Sequence, residues 1–122
     1  MATRTERINE ILRGLRISSP DVIGASVVSI EGFIIAAVAP SEIDEELVGG
    51  MAAALLGVGE RISGELMRAP MEQTYVKSEK GYVVLNAVGT EAVLVLLVTK
   101  EAKLGLIFLE LRRTIPELTK VL

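Results

Sequence analysis

Apolar residues Ile8, Ile11, Leu12 and Leu15 fall at the i, i+3, i+4, i+7 spacing of one helix face, so about Thr3 to Leu15 predicts an amphipathic helix. Thr3 with Glu6 three residues on has the form of a capping box. After Pro20 the period changes. Val22 to Ile30 is β-branched and short-chained, Glu31-Gly32 is a turn signal, and Phe33 to Ala39 is apolar again, which predicts a hairpin. Pro40-Ser41-Glu42 opens a second helix, with Ser41 as the expected N-cap and Glu42, Asp44, Glu45 and Glu46 favouring its positive end. Pro70 stops it near Arg68-Ala69. Three further strands follow, about Met71–Ser78, Tyr82–Val88 and Ala92–Thr99, with turns at Lys80-Gly81 and Gly89-Thr90. A last helix from about Ala102 to Ile115 carries Leu104, Ile107, Phe108, Leu111 and Ile115 on one stripe, and Pro116 is expected to end or kink it.

The order is α-β-β-α-β-β-β-α. Ala92 to Val98 is apolar on both faces and belongs at the centre of a sheet covered on both sides. Glu72 to Glu79 alternates and is polar, which suits an edge. Five strands and three helices then make an α+β fold, a three-layer α/β/α sandwich on an antiparallel sheet. The chain shows no second domain, repeat or low-complexity segment.

The middle helix departs from the ordinary amphipathic pattern. Ile43, Leu47, Met51, Leu55, Val58 and Ile62 form one broad stripe, expected to face the sheet. Its other side should then carry charge, yet no charged residue occurs anywhere from Leu47 to Gly59. Gly50, Gly57 and Gly64 recur every seven residues with Ala53 beside them. Each interior glycine costs roughly 0.8–1 kcal/mol of helix propensity. Such a row lets a second helix approach closely along its length, and the simplest partner is the same helix across a two-fold axis. The bland alternative is packing beneath another element of the same domain.

Composition narrows the chemistry. The 122 residues contain no Cys, His or Trp, and 13 Lys+Arg stand against 16 Asp+Glu, a net charge of −3. That removes disulfides, imidazole or thiolate catalysis and Cys/His metal sites. The acidity disfavours nucleic acid. Gly57-Val-Gly59 lies within a helix and lacks the context of a dinucleotide site, and no phosphate-binding loop motif exists. The carboxylates at the helix start read as dipole-favoured surface charge; Arg61, Arg68, Arg112 and Arg113 are the candidates for a phosphate-directed arginine, but read more readily as solvated helix charge. No catalytic, cofactor-binding or metal site is expected, nor any membrane insertion, and the chain reads as a cytoplasmic binding protein and not an enzyme.

The segment VIGASVVSIEGFIIA, residues 22–36, resembles the hairpin of the Roadblock domain family, with Glu31 where Asp is frequent and Phe33 where Leu is. The Ala/Gly-rich second helix is similar too, and the final strand and helix fit loosely. The resemblance covers nearly the whole chain and implies one Roadblock-like domain over 1–122 with a profilin-like sandwich. It also implies a homodimer in which third strands join edge to edge and second helices pair on one face. Carried onto this sequence, that interface comprises Gly50, Ala53, Ala54, Gly57, Arg61 and Gly64 on the helix and Glu72, Thr74, Tyr75 and Val76 on the strand. The implied partner is a Ras-like small GTPase, whose nucleotide cycle or location the dimer modulates; nothing in the chain identifies an inserted arginine finger, so any stimulation of hydrolysis is expected to come from repositioning the GTPase's own residues. The alternatives are a structural adaptor subunit indifferent to nucleotide and, more weakly, a small-ligand sensor.

Overall fold

The structure, a computed structural model, describes residues 2–122. Its elements are α1 (Arg4–Ser18), β1 (Val22–Ser29), β2 (Ile34–Val38), α2 (Glu45–Met67), β3 (Gln73–Ser78), β4 (Gly81–Val88), β5 (Ala92–Thr99) and α3 (Leu104–Val121). The strands form one sheet in the order β2-β1-β5-β4-β3, with every pairing antiparallel. The apolar β5 is central and the polar β3 is an edge, as their patterns predict. α2 therefore carries the chain from one edge of the sheet to the other.

α1 and α3 pack together on one face, over β1, β2 and β4, while α2 lies alone on the other face over β1, β2 and β5. The larger core is on the two-helix side. There Ile8 and Leu12 of α1 and Leu111 and Leu118 of α3 bury fully against Val27, Val84, Leu94 and Leu96. The α2 side holds a smaller core of Val28, Ala52, Leu56, Met71, Leu85, Val93 and Val95. Gly32, at φ +98°, closes the β1–β2 turn in a backbone conformation that glycine adopts without strain.

Helix ends follow capping chemistry. Thr3 Oγ1 accepts from the Glu6 N–H at 3.1 Å, the cap read from the sequence. α2 begins later than expected: Ser41 is not its cap. The Ile43 N–H donates to the Pro40 carbonyl, making a turn of that segment, and Asp44 takes the cap by accepting from the Leu47 N–H at 3.2 Å. α2 ends on Arg68 in the left-handed region, φ 56°, two residues before Pro70. α3 does not stop at Pro116 but runs to Val121. A helical proline forfeits one main-chain bond, but Pro116 sits on the exposed face, and Leu118 beyond it is fully buried. An interior proline costs about 3 kcal/mol; burying Leu118, about 1.5–3 kcal/mol, together with Ile115, Val121 and Leu122 packed against the same core, offsets it.

The largest correction concerns the rotation of α2. The face against the sheet is the one with Gly49, Ala52 and Leu56, while Leu47, Met51, Val58 and Ile62 each keep more than half their surface exposed. Packing distance decides this. A side chain at Gly49 would collide with the carbonyl oxygen of Gly32, and one at Gly59 with the sulfur of Met71. The helix lies so close to the sheet that Gly49, Ala52 and Leu56 sit beneath it with Val48 and Leu55 half-buried at the sides, so of the expected stripe Leu55 packs inward while Leu47, Met51, Val58 and Ile62 turn outward.

Candidate functional site

The outward side of α2 and the neighbouring edge of the sheet form the candidate site. Along α2, Leu47, Met51, Ala54, Val58 and Ile62 succeed one another on the exposed side, and Leu66 and Met67 are about three-quarters exposed at its end. Gly50, Gly57 and Gly64 flank this stripe, and a side chain at any of them would meet no atom within 4 Å. Their lack of side chains therefore satisfies no packing need within the chain. Arg61 and Glu65 continue the stripe and pair with each other at 3.3 Å, both largely exposed. An exposed ion pair of this kind contributes little, about 0–1 kcal/mol.

The expected interface residues separate into two groups. Gly50, Ala54, Gly57, Arg61 and Gly64 are exposed on α2, and Ala53 is half-buried. Ala53 and Gly57 line a groove of about 460 Å³ together with Leu56, Glu60, Pro70 and Met71. Glu60 fixes the far wall of that groove: its carboxylate accepts from the Met71 N–H at 3.1 Å, joining the end of α2 to the approach to β3. On the strand side Glu72 is exposed just before β3, Thr74 is half-buried, and Tyr75 and Val76 are exposed within it.

β3 pairs only with β4, so its outer main-chain groups have no strand partner in the sheet. Thr74 and Val76 stand opposite Leu85 and Val83, which belong to the α2 side of the sheet. They therefore share a face with the α2 stripe. Tyr75 points to the other face, where its ring lies 6.2 Å from Tyr82 and 6.0 Å from Phe108. Tyr75 thus buttresses the edge strand against α3 and leaves the backbone edge open.

The sequence reading missed the bulky residues of the exposed stripe, having assigned them to the core. Two signals bear on the rotation. Arg61 and Glu65 extend the line of Leu47, Ala54 and Val58 and mark it as the outer side. The opposite line, Gly49, Ala52, Leu56, Gly59 and Ser63, holds one large residue, which is what a closely seated helix needs.

Among the described residues no group of three or more His, Cys, Asp or Glu is placed to hold a metal ion. Among the described residues no helix is long and apolar enough to cross a membrane. What the arrangement offers is an apolar helix face beside an open strand edge.

Comparison with known proteins places this geometry in a family. The family model for the Roadblock/LC7 domain matches residues 8–98, from within α1 to the end of β5. The chain belongs to the Roadblock/LC7 domain family. An uncharacterized protein of Methanocaldococcus jannaschii, MJ0714, is 39% identical over 90 residues, 74% of this chain and 75% of its own length. In three dimensions the chain is similar to MglB of Myxococcus xanthus, with a TM-score of 0.89 at 19% identity over 99% of this chain and 91% of that one. A chain of the LokiProfilin1–rabbit actin complex aligns with a TM-score of 0.70 at 15% identity, covering 99% of this chain and all of the other, 100%. The fold is therefore the profilin-like sandwich, with the exposed apolar α2 face lying beside the open backbone edge of β3.

Proposed function

We propose that this protein is a non-enzymatic, cytoplasmic homodimer that binds a Ras-like small GTPase and modulates its nucleotide cycle or its location. The observation that carries the dimer is the outward α2 stripe. A solvent-facing helix with no charge from Leu47 to Gly59 and four bulky apolar side chains exposed needs a cover. A second α2 supplies one, because the open row of Gly50, Gly57 and Gly64 permits close approach of two backbones. Edge pairing of β3 with its counterpart extends the same contact, with Thr74 and Val76 on the α2 side.

The GTPase partner follows from membership of the Roadblock/LC7 family and from likeness to MglB, not from any residue of the interface. A chain without catalytic side chains acts on a GTPase by docking and by repositioning the GTPase's own groups. The test is binding to the Ras-like GTPases encoded nearest to this protein, each loaded with GDP and with a non-hydrolysable GTP analogue. The proposal expects binding that differs between the two states. Binding that ignores the nucleotide makes the protein a structural adaptor. Absence of binding in both states, across all candidates, refutes the GTPase reading while leaving the dimer standing.

A further inference from the structure

The groove beside α2 holds one charged residue. Ala53, Leu56 and Gly57 form its helix wall, and Ile30, Thr90 and Ala92, where β1 ends and β5 begins, form the opposite one. Glu60 is the single ionisable side chain lining it. Glu60 is half-buried, and its Oε1 accepts from the Met71 N–H. Among the described residues no lysine or arginine lies within ion-pairing distance of its carboxylate. A half-buried carboxylate among apolar walls is poorly hydrated and gains from a cation that brings its own apolar cover.

The rim has the same sign. Glu31 adjoins Ile30, Glu91 lies between Thr90 and Ala92, and Glu72 follows Met71; all three are exposed and unpaired among the described residues. Glu46 lies on α2 one turn before Gly50, after Glu42, Asp44 and Glu45. The cations close by are Arg4, which shares a neighbouring groove with Glu31 and Glu91, Arg68 at the end of α2, and Arg61, already paired with Glu65. Glu31, Glu60, Glu72 and Glu91 therefore outnumber Arg4 and Arg68, and the first turn of α2 adds to the excess.

We infer that this groove receives a basic segment of the GTPase partner, in which an arginine or lysine stands beside an apolar residue. The cation pairs with Glu60, and its stem and the apolar neighbour cover Ile30, Leu56 and Met71. The rim carboxylates draw that segment in. The inference rests on the GTPase reading above and names the chemistry of its docking. A second α2 fits the groove less well. Its stretch from Leu47 to Gly59 carries no cation, its Arg61 is paired, and its first turn brings Glu45 and Glu46, which leaves Arg68 as its one unpaired cation.

The test is binding kinetics of the Ras-like GTPases encoded nearest to this protein, loaded with GDP or with a non-hydrolysable GTP analogue. They are measured against wild type, Glu60→Gln, and the double variant Glu31→Lys with Glu91→Lys. Glutamine keeps an oxygen for the Met71 N–H and removes only the charge, so the fold and the self-association are expected to be unchanged. Binding of the preferred nucleotide state weakens about tenfold to hundredfold, mainly through faster dissociation. The double variant, confined to exposed positions, slows association about twofold to tenfold and flattens its salt dependence. A GTPase bound equally well by wild type and both variants overturns the groove and leaves the GTPase reading standing. Failure of wild type to bind any of them overturns both. Self-association weakened by Glu60→Gln at unchanged thermal stability, read by sedimentation, gives the groove to a second copy and overturns the inference.

Discussion

Gly49 and Gly57 sit on the same helix, two turns apart, and substitution of each should have opposite consequences. Gly57→Leu adds a side chain where no atom lies within 4 Å, so the isolated chain accommodates it and gains about 0.8 kcal/mol of helix propensity. In a dimer of closely packed α2 helices the same leucine enters the contact. Overpacking costs typically about 1–3 kcal/mol per site, and the two-fold axis doubles it, so the dissociation constant should rise between about thirtyfold and twenty-thousandfold. Gly49→Ala does the reverse. Its methyl collides with the main-chain carbonyl of Gly32, in a turn that cannot give way, and the fold loses about 1–2 kcal/mol net of the propensity gain while the outer face is unchanged. Sedimentation equilibrium reads the first effect and chemical denaturation the second. A Gly57→Leu protein with the wild-type dissociation constant would refute close approach along the glycine row. Wild-type stability for Gly49→Ala would refute the seating of α2 on the sheet.

Other outcomes follow from local chemistry. Asp44→Ala should cost about 1 kcal/mol through loss of the α2 cap, whereas Ser41→Ala should be neutral, as denaturation midpoints will show. Arg68→Gly relieves a non-glycine residue at φ 56° and should raise stability by up to about 1 kcal/mol. Leu118→Ala, beyond the helical proline, should destabilise by about 2–5 kcal/mol; a small effect would mean that the last turns of α3 do not seal the core.

Most of the architecture was legible because each strand states its own burial. β5, apolar on both faces, could only be central, and the polar β3 could only be peripheral. The Thr3 cap and the Pro70 stop were equally local. The misreadings have two causes: tertiary contact overruled a local rule at Pro116 and along α2, and a local turn displaced the cap at Ser41. Pro116 is tolerated because Leu118 is anchored beyond it. Ser41 yields to Asp44 because Pro40 to Ile43 closes a turn. The rotation of α2 could not be read from hydrophobicity, since a helix uncharged all round from 47 to 59 has two apolar faces. Side-chain size distinguishes them, with small residues seated on the sheet and large ones turned out. The proposal that a second molecule covers α2 does not depend on that rotation, because the surface left uncovered is more apolar than the glycine flank alone. Of the interface residues named from the resemblance, those on α2 lie beside or within the exposed stripe and Glu72, Thr74, Tyr75 and Val76 lie at the β3 edge; the bulky residues of the stripe were not among them.

The most direct test of a covered α2 is the mass of the unmodified chain in solution, measured by sedimentation equilibrium from micromolar to millimolar concentration. The account predicts no populated species lighter than twice 13.1 kDa across the upper part of that range. A stable 13.1 kDa particle at the highest concentration, folded and with Leu47, Met51, Val58 and Ile62 open to solvent, would contradict it.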